Sequence, residues 1–173
     1  MKKGLKIFIV AMSLVLVIAT AVGTTLALLT DKTAPIENTF TVGNVDIDLK
    51  ESKNTYKLIP GNDITKNPTV TVVEGSEQCW LFVKVEVDTE LATVIEYTLD
   101  GWTAVPDVAN VYYKKDATVG SYAVLTGNKV TVKLAATSTQ IAAAKDKKMI
   151  ITAYACQSAN VTTVAQAWAA VNA

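Results

Sequence analysis

Histidine and arginine are both absent from the 173 residues. Without histidine there is no His-Glu-x-x-His zinc helix, no Ser-His-Asp triad and no Cys-His nucleophile pair. No Ser-x-x-Lys stands at a predicted helix start, and no glycine-rich phosphate loop appears. Two cysteines without histidine do not make a zinc site. No catalytic residue, metal or cofactor is therefore expected. Every basic residue is lysine, and three of the sixteen (Lys2, Lys3 and Lys6) precede the first apolar run. The remaining thirteen face sixteen acids, a net charge near −3. Nucleic acid needs a basic face, and an anionic membrane surface attracts basic clusters. Neither is an expected partner. The chain also lacks a Leu-Pro-x-Thr-Gly sorting motif and an apolar tail followed by basic residues, so sortase attachment is not expected.

The N-terminus has the parts of an export signal. The three lysines lead into an apolar run, Ile7 to Val22, which meets Gly23, Thr24 and Thr25. Thr25-Leu26-Ala27 is a small-x-small end. A basic start, an apolar middle and a small-x-small end describe a secretory signal peptide. Cleavage after Ala27 would start the mature chain at Leu28. The segment is also long enough, at roughly 20 apolar residues, to stay in the membrane as an anchor. It ends in small residues rather than in a basic stop-transfer cluster, which favours cleavage. On either reading the rest of the chain is outside the membrane and touches it only through the uncleaved signal.

The mature part has the size of one domain, rich in Thr, Val and Ala. Cys79 to Val87 alternates over its whole length. Cys79, Leu81, Val83, Val85 and Val87 share one face; Trp80, Phe82, Lys84 and Glu86 share the other. The first face predicts core. The second predicts a cover at its aromatic end and water at its charged end. Further strands are predicted at Lys57 to Ile59, Thr69 to Val73, Val111 to Lys114, Tyr122 to Leu125, Lys129 to Leu134 and Met149 to Gln157. Asp100-Gly101 predicts a two-residue hairpin between Glu96 to Leu99 and Trp102 to Val105. The phase of Asn38 to Leu49 slips at Gly43-Asn44, which predicts a bulge with an unusual glycine angle. Short helices are predicted at Thr139 to Lys145, capped by Thr137 or Ser138, and at Thr163 to Val171. These elements describe an all-β, antiparallel β-sandwich with one or two short helices, preceded by a cleaved signal peptide.

Leu28 to Leu49 reads LLTDKTAPIENTFTVGNVDIDL. A Thr-Asp just past the cleavage site, then Asn-Thr-Phe-Thr-Val-Gly-Asn-Val-Asp-Ile-Asp-Leu, resembles the start of the TasA/camelysin family. The likeness extends to Pro60 to Pro68, Cys79 to Val87 and Ile150 to Gln157 with the Ala-rich tail. The resemblance implies a secreted protein of a Gram-positive bacterium, a jelly-roll sandwich, and processing by a dedicated signal peptidase of the SipW type. Several members build extracellular fibres.

Other readings of particular residues stand beside it. Cys79 and Cys156 permit one disulfide, worth typically about 2–4 kcal/mol; they also suit two buried free thiols. Glu86, Asp88, Glu90 and Glu96 are candidate acids and bases, or a solvated strand end and loop. Asp46, Asp48 and Glu51 offer oxygen ligands for calcium, or are simply exposed. Trp80, Phe82, Trp102, Tyr112 and Tyr113 would suit a sugar-stacking face if exposed, and core packing if not.

The expected organisation is a signal peptide over 1–27, an N-terminal donor-strand segment over 28–36 and a β-sandwich domain over 37–173. The expected function is a secreted structural subunit of a fibre, in a biofilm matrix or pilus. The freed segment Leu28, Leu29, Thr30, Asp31, Lys32, Thr33 and Ala34 has no obvious partner in its own chain. Family resemblance implies that it completes a sheet of the next copy, by donor-strand complementation, giving a head-to-tail homopolymer. The alternatives are a camelysin-type secreted metallopeptidase and a monomeric cell-surface adhesin. Processing after Ala27 is directly testable. Ala27→Glu should leave a membrane-bound precursor on immunoblots. N-terminal sequencing of secreted protein that began well away from Leu28 would refute the cleavage site.

Overall fold

The computed structural model describes residues 3–6, 8, 11–13, 43–53 and 55–172. The chain divides into two compact units, 1–41 and 42–173. In the first unit the described residues are helical and exposed. Among the described residues no helix is long and apolar enough to cross a membrane.

Among the described residues the second unit is mostly antiparallel β with three short α-helices and one 3-10 turn, Thr126–Asn128. In chain order it runs β1 (Ile47–Lys50), β2 (Asp63–Thr65), β3 (Thr69–Val72), β4 (Cys79–Val87), α1 (Thr89–Val94), β5 (Ile95–Glu96), β6 (Thr103–Ala104), β7 (Val111–Ala117), β8 (Gly120–Ala123), β9 (Lys129–Val132), α2 (Ser138–Ala143), β10 (Met149–Gln157) and α3 (Val164–Val171). The strands form three sheets, ordered β1-β3-β8, β10-β4-β7-β6 and β2-β9-β5.

The four-stranded sheet divides the interior into two cores, and the two faces of β4 belong to different ones. Cys79, Leu81, Val83 and Val85 pack with Val70 and Val72 of β3 and Val130 of β9, so residues of all three sheets share one core. Trp80 and Phe82 face the other way, with Val111, Val105 and Ala167. Helix α3 closes this second core. Ala167 is fully buried at its centre, while Val164, Trp168 and Val171 pack around it. The α3 helix starts with a reciprocal cap: Thr163 accepts from the Gln166 N–H, and Gln166 accepts from the Thr163 N–H. Helix α2 repeats the device with Thr137 and Gln140.

Several expectations need correction. Asp100-Gly101 does not join a hairpin: β5 pairs with β9 and β6 pairs with β7. Gly101 has the left-handed φ of 65° that the dipeptide suggests. However, Leu99 bridges Leu125 instead, and Trp102 is buried with its indole N–H donating to Ala123 O at 2.8 Å. Burying an indole with its donor satisfied outweighs a local turn preference. Lys57 to Ile59 is not a strand. Strand β9 ends at Val132 because Lys133 to Ala136 turns; Leu134, which would share the face of Val130 and Val132 if the predicted strand ran on, is 82% exposed. Gly43 precedes β1 without a left-handed φ, although Val45, Ile47 and Leu49 do pack against the core. The Phe40 and Val42 half of the predicted slip lies outside the described residues. Helix α1 was not expected from sequence.

Val85 is 2% exposed in the first core. Val85→Asp should prevent folding, since an unpaired buried charge costs about 3–5 kcal/mol or more against a total stability of about 5–15 kcal/mol. Circular dichroism and thermal unfolding check this. A wild-type-like transition would overturn the assignment of β4 to the core.

Candidate functional site

The edges of the sheets differ greatly in length. β10 has nine residues along the margin of the four-stranded sheet. β6, at the opposite margin, has two. The other outer strands (β1, β8, β2 and β5) have four, four, three and two. β10 reads MIITAYACQ. It has no charge, no proline and no register break against β4, and so lacks the usual guards of an exposed edge.

The register shows which backbone groups of β10 face away from β4. At one end Asp88 N–H donates to Lys148 O at 3.0 Å; at the other Ser158 N–H donates to Gln78 O at 2.8 Å. In an antiparallel ladder, hydrogen-bonded pairs alternate with non-bonded ones. The even-numbered residues of β10 therefore bond β4. The odd-numbered ones, Ile151, Ala153 and Ala155 among them, aim N–H and C=O outward. Among the described residues these outward groups have no backbone partner. β1 lies near β10 in space without joining its ladder. The side chains of Ile151, Ala153 and Ala155 pack against the first core, so a strand added here would extend that core's wall.

A second feature adjoins the start of β10. A groove of about 690 Å³ lies among Leu58, Ile64, Leu91, Val130, Ile141 and Met149. Lys66, 8% exposed, enters it. Its ammonium donates to both Glu51 carboxylate oxygens at 3.0 and 2.9 Å and sits 5.3 Å from the Tyr56 ring centre. Tyr56 in turn donates to Glu51 at 2.5 Å and lies close to the Lys53 carbonyl. Burial first, then the hydrogen bond to Glu51 and its charge, push the Tyr56 hydroxyl above its usual range. The triad ties the loop at Tyr56 to the strand region at Lys66.

The residues named from sequence scatter. Ala27 and Leu28 at the cleavage site, and the segment Leu28, Leu29, Thr30, Asp31, Lys32, Thr33 and Ala34, lie outside the described residues. Asp46, Asp48 and Glu51 do not converge: Asp48 pairs with Lys50 and Glu51 with Lys66. Glu86 pairs with Lys84 at 2.8 Å. Glu90 pairs with Lys147 at 2.9 Å, which holds its carboxyl below the usual range. Asp88 accepts from the Lys148 N–H at 2.8 Å. Asp48, Glu51, Glu86, Asp88 and Glu90 thus each have their own partner, and Glu96 is exposed in β5. The aromatic residues do not make an exposed face, since Trp80, Phe82 and Trp102 are buried. Sequence reading missed the groove and the β10 edge, which is unpaired among the described residues.

Cys79 and Cys156 are free thiols. Cys156 is opposite Trp80 and Gln157 opposite Cys79. Directly opposed residues share a face, so the two cysteines point to opposite sides of the sheet. Cys79 packs in the first core and Cys156 against the second. A bridge would require one strand to turn over, and the permitted disulfide is not made here. Burial, and then the neighbouring Cys156, push the Cys79 thiol up to about 11; burial also raises that of Cys156.

Comparison with known proteins returns no match: no family model, no curated protein and no solved structure.

A buried thiol held protonated alkylates slowly. Native protein at pH 8 should resist iodoacetamide and take up two labels only after denaturation. Intact mass without reductant should equal that with it. A mass lower by the two hydrogens of a disulfide would overturn the opposed placement.

Proposed function

We propose that this chain is a secreted structural subunit that polymerises by strand addition. The β10 edge of one copy accepts the N-terminal segment, Leu28 to Ala34, of the next. The observation that carries this reading is the nine-residue, uncharged, proline-free edge with outward N–H and C=O groups at Ile151, Ala153 and Ala155. Main-chain hydrogen bonds supply affinity in such a contact, and side-chain pockets supply register. The Leu-Leu pair at the start of the segment suits the apolar wall beside β10. Repeated head to tail, the contact does not close and gives a filament. The resemblance of Leu28 to Leu49 to the TasA/camelysin family supports a jelly-roll order and an extracellular fibre. Release by a SipW-type peptidase after Ala27 then acts as the assembly switch.

Two variants test donor and acceptor separately by electron microscopy of the mature protein. A chain starting at Ile36 removes the donor. Proline at a free edge position removes an outward N–H while sparing the strand's own ladder, so Ala153→Pro disables the acceptor. Both should stay folded, with β-rich circular dichroism, and form no fibres alone. Mixed, they remain fibre-free, because one lacks the donor and the other the acceptor, leaving at most a single pairing. Normal filaments from either variant would rule out this contact.

A further inference from the structure

The groove beside Lys66 is independent of the strand-addition reading, and its lining has a chemistry of its own. The floor is aliphatic: Leu58, Ile64, Leu91, Val130, Ile141 and Met149. The rim is cationic. Lys57, Lys145 and Lys148 line the mouth and make no ion pair among the described residues. Two further lysines of the lining are neutralised, Lys66 by Glu51 and Lys147 by Glu90. Asp146 is the only acid among the described lining residues. A chain that carries net negative charge after export thus concentrates unpaired positive charge around one apolar trough.

We propose that this groove binds a free single-chain fatty carboxylate. The tail lies on the aliphatic floor and the carboxylate meets Lys145 and Lys148 at the mouth. The size, about 690 Å³, falls within the roughly 300–1,000 Å³ of small-molecule sites. A peptide strand would fit poorly, because its N–H and C=O groups would face a floor of hydrocarbon and go unpaired. A cationic amphiphile would meet like charge at the rim. The Glu51–Lys66–Tyr56 triad holds the loop that carries Leu58 and so keeps one wall in place.

Isothermal titration calorimetry on the purified mature protein tests this with four probes. They are laurate, dodecyltrimethylammonium, phosphatidylglycerol vesicles and a peptide spanning Leu28 to Ala34. Laurate should bind one to one and at least about tenfold tighter than the cationic chain, with affinity falling as salt rises. Lys145→Glu with Lys148→Glu should weaken laurate about tenfold, and Leu58→Asp should abolish binding, both with unchanged circular dichroism. Equal affinity for the two amphiphiles, indifference to these substitutions, or binding to vesicles alone would overturn the proposal. So would displacement of laurate by the peptide, which would assign the groove to a second copy. Fibre formation is scored separately, so failure here leaves the β10 contact standing.

Discussion

Everything in the second unit depends on β4 being buried on both faces. A strand at the surface of a sandwich has one core to satisfy. This one has two, an aliphatic one on the Leu81 side and an aromatic one on the Trp80 side. Each buried Leu, Val or Phe contributes about 1.5–3 kcal/mol, and no other strand among the described residues has as many buried positions. The double demand also explains α3. Without it Trp80, Phe82 and Tyr154 would form an exposed apolar patch; with it Trp168 meets Tyr154 edge-on, ring centres 5.5 Å apart. The Trp80 indole N–H then needs a partner and finds Val161 O at 3.0 Å, on the approach to the same helix. The aromatic half of β4 therefore requires the C-terminal helix. Its charged half, Lys84 and Glu86, is left to water.

Local patterns made part of this legible. The alternation in Cys79 to Val87, including the switch from aromatic to charged on its second face, reads directly as one covered and one wet end. Thr137 was legible as a cap of α2, while the Thr-x-x-Gln boxes at Thr137 and Thr163 are local signals that sequence reading left unused. Helix α1 carried no such signal: Asp88 makes no side-chain cap, and its six residues follow a strand without a break. The Asp100-Gly101 dipeptide misled because turn chemistry describes four residues, while the fate of its flanks was decided by Trp102, Leu99 and partners far along the chain. Leu134 failed for the opposite reason. Parity assumes that the strand continues, and the turn beginning at Lys133 stops it.

The sites were less legible than the fold. MIITAYACQ and CWLFVKVEV have the same length and a similar hydrophobic content, and nothing local says which is central and which is marginal. Edge status is a property of the sheet order. The groove is assembled from α1, α2, β2, β9, β10 and the loop at Tyr56, so no window of sequence contains it. The two cysteines show the same limit. Their count suggested a pair, but register, which only the sheet defines, turned them apart.

The inequality of the sheet margins has a consequence for geometry on a larger scale. Apart from β10, the outer strands number two to four residues each, shorter than the usual five or six of a stable pairing. Among the described residues, only one margin offers a long ladder. A unit with a single such valence could not branch through that margin, since the margin has room for one added strand. Any mesh built from such units must then draw its cross-links from elsewhere on the surface, and its stiffness along a thread and its connectivity between threads become separately adjustable.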